Sequence, residues 1–502
     1  MIFYPQYCFD CHFPFVGKEI NERCWSCNGT HTINCFGETM KSTTTEYTDF
    51  LINRQNIDSG IGFKPTYMPN YLFDFQKALI DWSVRKGSSA IFADCGLGKS
   101  IMELVWAKNI IKKTKGNILL ITPLAVGIQM ISEADKFGIT EVTRSKDGSV
   151  KSKITITNYE RLHYFNPSDF VGIILDESSI LKNFNGAIKN RINIFIRKIK
   201  YRLLATATAA PNDFIELGTS SEALGYLGYI DMLSKFFKND QNNCAMNNRG
   251  RFTEITKWRL KGHAHESFWK WVTSWSRSVR YPSDMGFDDN GFILPKLNEV
   301  EHILDVSRKP ENGSFFAMPA RGLKEVRSEK RATIIERCEK TAELINKGND
   351  YSVSWCNLND EGDLLEKLIP NSVQVSGRDK DDVKEDKLTS FTKGDSRVLI
   401  TKPKIGAWGL NWQHCNQITF FPNYSYEQYY QAIRRCWRFG QKKPVTVNLV
   451  YTTGDIDAIK NLRRKQEQAD KMFTNLVREM NNAINISNIT KFNERTEVPT
   501  WV

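Results

Sequence analysis

One stretch of this chain combines the pattern of a buried strand, a glycine turn and the start of a helix. Residues 90–100 read AIFADCGLGKS, in which an apolar run leads to two glycines, a lysine and a serine. Glycines let backbone N–H groups approach phosphate oxygens, and the helix N-terminus adds partial positive charge. The stretch therefore predicts a phosphate-binding loop, although Ala93 stands where the usual pattern has its first glycine. A glycine turn at an ordinary strand–helix junction is the alternative. The predicted loop residues are Gly96, Leu97, Gly98, Lys99 and Ser100.

A second apolar strand ends in two acids. Residues 171–179 read VGIILDESS, and open α/β sheets bind ligands at the carboxyl ends of their strands. Lys99 would reach the β- and γ-phosphates of a nucleotide, while Ser100 and Asp176 would hold Mg²⁺. Glu177 would polarise the attacking water. Two acids that cap the following helix are the alternative.

Length and charge limit the class of protein. A chain of 502 residues is long enough for two or three domains. Its 69 Lys and Arg against 57 Asp and Glu give a net charge of +12, which favours a polyanionic partner such as nucleic acid, with a merely basic surface as the alternative. No apolar run is long enough to span a bilayer, and the N-terminus lacks a secretory pattern. We therefore expect no membrane association, a cytoplasmic location and cysteines that serve as thiols or metal ligands.

Four cysteines near the N-terminus have the spacing of a zinc site. They follow the pattern C-x2-C-x12-C-x2-C, in which each pair presents two thiolates from one tight turn. So small a segment would depend on the metal for its folding energy. Unrelated thiols are the alternative, and His12, His31 and Cys35 are alternative ligands. The predicted Zn²⁺ ligands are Cys8, Cys11, Cys24 and Cys27.

Strand and helix patterns alternate along most of the chain, which predicts an α/β fold with parallel sheets. The alternation stops between 218 and 295, where a helical insertion is expected at about 218–290. A second strand–helix series begins near 297. The expected domains are a zinc-binding module over 1–45, a first α/β domain over 46–295, a second over 296–470 and a helical tail over 471–502.

Basic and aromatic residues alternate between 249 and 280, a composition typical of nucleic-acid grooves. The helical spacing of the apolar members indicates that they are core instead. Arg277 and Arg280 are among the charged members that are better candidates for phosphate contacts. The apolar members are Phe268, Trp271, Val272, Trp275 and Val279.

A second arginine-rich stretch lies far downstream. Residues 431–441 read QAIRRCWRFGQ, and helical spacing would put Gln431, Arg435 and Arg438 on one face. The fork geometry of arginine suits phosphate recognition. A generic basic helix is the alternative.

The order of these motifs resembles superfamily-two helicases and translocases, specifically the Swi/Snf-like branch and its compact bacteriophage-encoded versions. The resemblance covers 71–451. FQKALIDW resembles the adenine-reading motif and places its glutamine at Gln76. DCGLGKS resembles motif I, LDESS motif II, TATAAPND motif III and GAWGLN motif V. QAIRRCWRFGQ resembles motif VI, with Trp437 where a histidine is usual, and LDESS has Ser178 and Ser179 where Ala-His or Gly-His is usual.

The resemblance implies two RecA-like domains that bind ATP, with Mg²⁺, between them. It implies that Arg435 and Arg438 act as arginine fingers and that Gln76 and Gln431 contact the nucleotide. It implies an ATP-dependent DNA translocase or helicase that acts in phage DNA replication, recombination or repair, in the bacterial host cytoplasm. The alternatives are a strand-separating helicase on DNA or RNA, and a zinc-containing nucleic-acid-binding protein with a degenerate ATPase.

Overall fold

The computed structural model divides the chain into two compact units, Met1–Asn56 and Ile57–Val502. In the first unit, β1 (Tyr4–Cys8), β2 (Pro14–Gly17) and β3 (Thr32–Asn34) form an antiparallel sheet in the order β2-β1-β3. Cys8 ends β1, whereas Cys11, Cys24 and Cys27 lie outside the described residues, so the zinc site stays a prediction. The residues that the structure describes are 4–8, 14–17, 32–34, 61–124, 126–182, 186–239, 245–246, 252–253, 258–305, 330–406 and 410–489.

The larger unit begins with a seven-stranded sheet whose strands are all parallel. Most of these strands are buried throughout, which explains why they read as nearly continuous apolar runs. The strands of this sheet are β4 (Ser88–Ala93), β5 (Ile118–Thr122), β6 (Val142–Arg144), β7 (Ile154–Asn158), β8 (Gly172–Asp176), β9 (Tyr201–Ala205) and β14 (Ser276–Val279). Their spatial order is β14-β4-β9-β8-β5-β7-β6.

Helices cover both faces of this sheet and pack apolar side chains into two buried clusters. The helices are α1 (Asp74–Lys86), α2 (Lys99–Thr114), α3 (Val126–Lys136), α4 (Ala187–Ile196), α5 (Leu217–Leu224), α6 (Tyr229–Phe236) and α7 (His265–Trp275). Two short antiparallel pairs lie between α6 and α7. They join β10 (Phe237–Asn239) to β13 (Trp258–Leu260) and β11 (Ala245–Met246) to β12 (Phe252–Thr253).

The basic and aromatic stretch contributes to the core, as the spacing predicts. Phe268, Val272 and Trp275 of α7 are buried, and so is Val279. Val279 belongs to β14, so the stretch expected to be a helical insertion also supplies the edge strand of the first sheet.

Two of the charged members proposed for phosphate contacts, Arg277 and Arg280, contact other side chains of the protein. The Arg277 guanidinium lies 4.3 Å from the ring centroid of Trp82. Arg280 forms an ion pair with Asp470, with 2.8 Å between nitrogen and oxygen.

The second domain is built on a six-stranded sheet that is also parallel. Its strands are β15 (Leu297–Leu304), β16 (Ser352–Trp355), β17 (Ser372–Val375), β18 (Val398–Thr401), β19 (Gln417–Phe420) and β20 (Val445–Thr452), in the order β15-β20-β19-β16-β18-β17. Its helices are α8 (Ile334–Asn346), α9 (Asn359–Leu368), α10 (Asp381–Lys393), α11 (Pro403–Gly406) and α12 (Tyr426–Ile433). Both α/β domains predicted from the sequence are therefore present.

One long helix, α13 (Ile456–Ile489), belongs to both domains. Its early side chains, including Leu462, pack in the core of the second sheet. Its later side chains Met472, Phe473 and Leu476 pack in the core of the first domain. The expected boundary between second domain and tail at 470 thus lies inside one continuous helix. No helix in the described part of the chain combines the length and the apolar character that a membrane span requires.

Candidate nucleotide site between the two domains

The loop between β4 and α2 has the backbone conformation of a phosphate-binding loop, and this conformation requires glycine at two positions. Gly96 and Gly98 have φ values of +91° and +77°, where side chains are strained. A Cβ on Gly98 would lie 2.4 Å from the Gln76 amide nitrogen, and one on Gly96 would lie 2.8 Å from the Phe439 backbone nitrogen. The chain then enters α2 at Lys99, so the helix N-terminus faces the loop.

The Lys99 side chain forms hydrogen bonds with the start of this loop. Its ammonium donates to the carbonyls of Ala93 at 2.9 Å and Asp94 at 3.4 Å. Ser100 follows as the second residue of α2. Both side chains line the cavity between the domains, which is where the sequence predicts the phosphates and the Mg²⁺ ligand.

The Gln76 side chain forms a hydrogen bond with this loop. Its amide nitrogen donates to the Leu97 carbonyl at 2.9 Å, and its oxygen accepts from the Phe73 amide at 3.1 Å. A glutamine amide offers two hydrogens and two lone pairs, so these bonds use half of its capacity. Gln76 and Leu97 are both buried and lie outside the residues that line the cavity. The role of Gln76 as an adenine reader stays a prediction.

Asp176 and Glu177 lie at the carboxyl end of β8, as predicted. Tyr159 donates its hydroxyl hydrogen to the Asp176 carbonyl at 2.5 Å. Glu177 has φ of +55°, an uncommon conformation for a residue other than glycine and one that concentrates at functional sites. Its carboxylate accepts from the Thr206 hydroxyl at 3.2 Å, which links it to the TATAAPND segment after β9.

Three buried carboxyl groups lie beside the loop, and their proximity favours the protonated forms of two of them. Burial, and then the charge of Glu177, raise the pKa of Asp176 to about 7, although Lys99 opposes the shift. Glu103, which lies one turn into α2, is buried, and burial followed by the charge of Asp176 raises its pKa well above the usual range. Neither Glu103 carboxylate oxygen has a hydrogen-bond partner in the described part of the chain. The Ser100 hydroxyl and the Asp176 carboxylate supply hard oxygen donors in the same cavity, and a cation there would favour the ionised form of Asp176, so the two residues fit Mg²⁺.

The arginine-rich stretch of the second domain lies beside this site, but the prediction that it forms one helix through Arg438 is wrong. α12 ends at Ile433, and the chain continues through Arg435 and Arg438 in turns. The Arg435 carbonyl accepts from the backbone N–H of Trp412, which lies outside the helix. The Ile433 carbonyl still accepts from the backbone N–H groups of Cys436 and Trp437, so the chain makes one more turn after α12 before it leaves the helical path.

Arg435 and Arg438 bond carbonyl and amide oxygens. Both guanidinium groups donate to the Leu410 carbonyl, at 3.1 Å and 3.3 Å, and Arg435 also donates to the Gln431 side chain at 2.8 Å. Burial, and then the charge of Arg435, lower the pKa of Arg438 to about 10. The Arg438 Nε has no partner among the residues that the structure describes. Two neighbouring cations in this setting fit a polyphosphate.

One cavity collects most of the predicted residues from both domains. Leu97, Gln76 and Gln431 lie outside its lining, and Gln431 is buried next to Arg435. Sequence reasoning missed four members, of which Val126, Gln129 and Glu133 lie on α3 at the spacing of one helix face. The lining consists of Cys95, Gly96, Gly98, Lys99, Ser100, Val126, Gln129, Glu133, Asp176, Glu177, Arg435 and Arg438.

A second and larger cavity also lies between the domains and shares Glu177 with the first. It is mostly apolar, with Pro123 and Tyr159 on the first domain and Ile405 on the second. Lys384 of α10 and the exposed Lys404 of α11 line it from the second domain. The part of motif V at 407–409 lies outside the described residues.

The chain is similar in sequence to proteins that are named as helicases. No protein-family model matches it. It is 20% identical over 482 residues to the human chromodomain-helicase-DNA-binding protein 1. The aligned part is 83% of this chain and 28% of the human protein. It is 34% identical over 94 residues to the bifunctional helicase and thymine dioxygenase JBP2 of Leishmania infantum, 18% of this chain and 9% of that protein. The chain therefore spans only a minor part of the curated relatives that it matches.

A solved structure shows the same fold. Dbp5 of S. cerevisiae, bound to RNA and ADP BeF3, matches with a TM-score of 0.50 at 11% identity, over 81% of this chain and 93% of that one. The two parallel-sheet domains thus have the tandem RecA-like arrangement that the resemblance implies.

Proposed function

We propose that this chain is an ATP-dependent DNA translocase or helicase that couples ATP hydrolysis to movement on DNA or to its remodelling. The observation that carries the proposal is the convergence in one cavity of Lys99 and Ser100, Asp176 and Glu177, and the two arginines of the other domain. Phosphoryl transfer needs little covalent chemistry from the protein. Positioning and charge neutralisation across the cleft would supply most of the catalysis.

The cavity lining supports a role for each residue. Lys99 and the loop amides would bind the β- and γ-phosphates, and Ser100 and Asp176 would hold Mg²⁺, which would supply charge neutralisation at the phosphates. Glu177 orients and deprotonates the attacking water, with its carboxylate held by Thr206. Arg435 and Arg438 stabilise charge that develops on the transferred phosphoryl group, so hydrolysis requires the second domain to be closed on the first.

Nucleic acid would lie along the larger cavity. The cavity is lined by Lys182, Lys384 and Lys404 and also by four glutamates, so the support from charge is the net +12 of the whole chain. Because Glu177 lines both cavities, a strand bound in one would touch the residue that acts on water in the other. This arrangement supports hydrolysis that depends on nucleic acid.

The motif VI resemblance supports the Swi/Snf-like branch and DNA, duplex or branched, in preference to RNA. The human relative is named for DNA binding, whereas the matched yeast structure holds RNA, so RNA is the alternative substrate. We also propose that the four N-terminal cysteines bind one zinc ion. The resemblance to compact phage-encoded versions further supports a role in phage DNA replication, recombination or repair in the host cytoplasm.

The test is ATP hydrolysis by the purified chain with single-stranded DNA, duplex DNA, forked DNA and RNA. We expect the largest stimulation with duplex or forked DNA. Stimulation by RNA alone would assign the chain to RNA, and the absence of hydrolysis with every nucleic acid would refute the proposal. Displacement of a triplex-forming strand without unwinding of a fork would identify a translocase that does not separate strands. The Lys99→Ala variant, purified identically, controls for contaminating ATPases.

A further inference from the structure

A buried ion pair joins the phosphate loop directly to the second domain, and the mechanism above does not use it. Asp94 follows the last residue of β4 and accepts hydrogen bonds from the Tyr430 hydroxyl and the Arg434 guanidinium. Asp94 belongs to the loop of the first domain, whereas Tyr430 and Arg434 belong to α12 and its C-terminal cap. Only 7% of Asp94 and 5% of Arg434 is exposed.

The Asp94 end of the pair is fixed by the first domain. Its backbone N–H donates to the Val279 carbonyl of β14 at 2.9 Å. Its carboxylate also accepts from the Cys95 backbone N–H at 2.6 Å, inside the loop itself. A carboxylate bound at both places has little freedom to follow a partner that moves.

The Arg434 end is fixed by the second domain. Its guanidinium lies 4.9 Å from the ring centroid of Trp437 and 5.6 Å from that of Tyr430. It donates to the Trp437 carbonyl at 3.4 Å and, across the interface, to the Cys95 carbonyl at 3.3 Å. Stacking of this kind suits the planar guanidinium and would not hold a lysine equally well.

The pair keeps its charges. Burial alone would raise the pKa of Asp94, but the Arg434 charge and the hydrogen bonds from Arg434, Tyr430 and Cys95 hold it below its usual value. Burial alone would lower the pKa of Arg434, yet Asp94 raises it well above its usual value. Both groups are thus ionised at neutral pH, and each would be costly to bury without the other.

The pair lies next to the residues that would act on phosphate. Arg435 follows Arg434 in the chain, and Cys95 follows Asp94. The Cys95 sulfur lies 3.8 Å from the Gln431 side-chain oxygen and 4.0 Å from the Arg435 guanidinium. A displacement of Arg434 from Asp94 would therefore displace Arg435 from the cavity.

We propose that Asp94 and Arg434 are positioning residues that set the register of the second domain on the phosphate loop, so that the arginine fingers reach the cavity in one defined arrangement. This proposal rests on the proposed ATPase function, and it deepens the description of the same site. Neither residue touches the reacting atoms in this account. Their effect is on where Arg435 and Arg438 lie, and misplacement of catalytic groups by about 1 Å can cost about 100-fold in rate.

The test compares Asp94→Asn, Arg434→Gln and the double variant in nucleic-acid-stimulated hydrolysis. We expect each single variant to lose about 10- to 100-fold in kcat with the KM for ATP changed by less than about threefold. The double variant should be no slower than the worse single variant because both act through one contact. Arg434→Lys should recover part of kcat, since the charge remains.

Asp382→Asn is the control. Asp382 of α10 forms an ion pair with Lys146 across the same two domains, at 3.2 Å, and lines neither of the two cavities. We expect its kcat to stay within about threefold of the wild type. An equal loss in Asp382→Asn would show that any interdomain pair serves, and additive losses in the double variant would show that Asp94 and Arg434 act separately. Either result overturns the proposal.

A second measurement separates this proposal from the ATPase itself. Hydrogen exchange of the backbone amides in segment 94–98, without nucleotide, should be faster in Asp94→Asn and in Arg434→Gln than in the wild type or Asp382→Asn. Unchanged amide exchange in Arg434→Gln would overturn the proposed positioning role, whatever the ATPase activity of the variant. If the wild-type chain hydrolyses no ATP, the proposed function is refuted, while faster amide exchange in Asp94→Asn and Arg434→Gln still supports the positioning role.

Discussion

Glu177 shows how a single residue depends on two parts of the first domain. Its backbone, at φ +55°, turns out of β8, and its carboxylate is held by Thr206 from the segment after β9. The adjacent β8 and β9 bring these two segments together. The position of Glu177 is therefore set by strand order, whereas its conformation is set by the turn that follows Asp176.

The first prediction concerns Glu177 and Lys99. Glu177→Gln keeps the size of the side chain but cannot accept a proton, so it should bind ATP and lose about 10²- to 10⁴-fold in turnover. Lys99→Ala should lose hydrolysis and also bind ATP more weakly, because a phosphate contact is removed. Binding of a fluorescent ATP analogue and single-turnover hydrolysis measure the two effects.

Lys112→Ala is the control for Lys99→Ala, since Lys112 lies on the same helix with its ammonium 4.5 Å from the ring centroid of Tyr67. Its turnover and ATP affinity should match the wild type. Normal turnover in Glu177→Gln or in Lys99→Ala would show that the site is assigned to the wrong residues.

The second prediction follows from the raised pKa of Asp176. Burial and the charge of Glu177 raise this pKa to about 7, so the carboxylate that would ligate Mg²⁺ becomes protonated as the pH falls through 7. Mg²⁺ affinity should therefore weaken by about tenfold between pH 8 and pH 6. A Mg²⁺ titration of ATP-analogue binding at each pH measures this change.

Glu216→Gln provides the control for pH. Burial also raises the pKa of Glu216 to about 7, but its carboxylate bonds Asn212 at 2.8 Å and does not line the nucleotide cavity. The variant should keep the pH dependence of the wild type. If the pH dependence of Mg²⁺ affinity disappears in Glu216→Gln, it originates in Glu216 and not in Asp176.

Among the elements, β4 with its loop and α2 was the most predictable, and α12 was the least. An apolar strand followed by glycines and a lysine constrains the backbone locally, and the structure forms that unit. α12 was expected to continue through Arg438, but the tertiary bond between Trp412 and the Arg435 carbonyl replaces a helical bond. Helical spacing in the sequence does not reveal such a competing partner.

The third prediction belongs to the N-terminal module. Purified protein should contain about one zinc per chain, and Cys24→Ser should lose it because a tetrahedral site needs all four ligands. Elemental analysis measures the metal directly. Cys338→Ser is the control, since Cys338 is a buried free cysteine of the second domain. Full zinc content in Cys24→Ser would mean that the ligand set is wrong.

At the scale of the whole molecule, the two α/β domains and most residues of the cavity proposed for the nucleotide were predictable, but the interface was not. The meeting of Lys99 and Glu177 in one cavity could be predicted because each follows a strand in the same sheet. Asp94 and Arg434 carry no local signal, since their pairing depends on how two separately folded sheets meet. The crossing of α13 from one core to the other was missed for the same reason.

The central claim is that one active site is built from both domains, and Arg438→Ala tests it most directly. Arg397→Ala is the control, because Arg397 is also an arginine of the second domain that bonds carbonyl oxygens, at 3.1 Å to Gly348. The measurement is ATP turnover at saturating DNA, together with DNA affinity as a function of salt. We predict that Arg438→Ala loses about 10³- to 10⁵-fold in turnover while DNA affinity and its salt dependence stay unchanged. Turnover restored by saturating DNA, with a smaller salt dependence, would show that Arg438 contacts DNA phosphate and would contradict the shared active site.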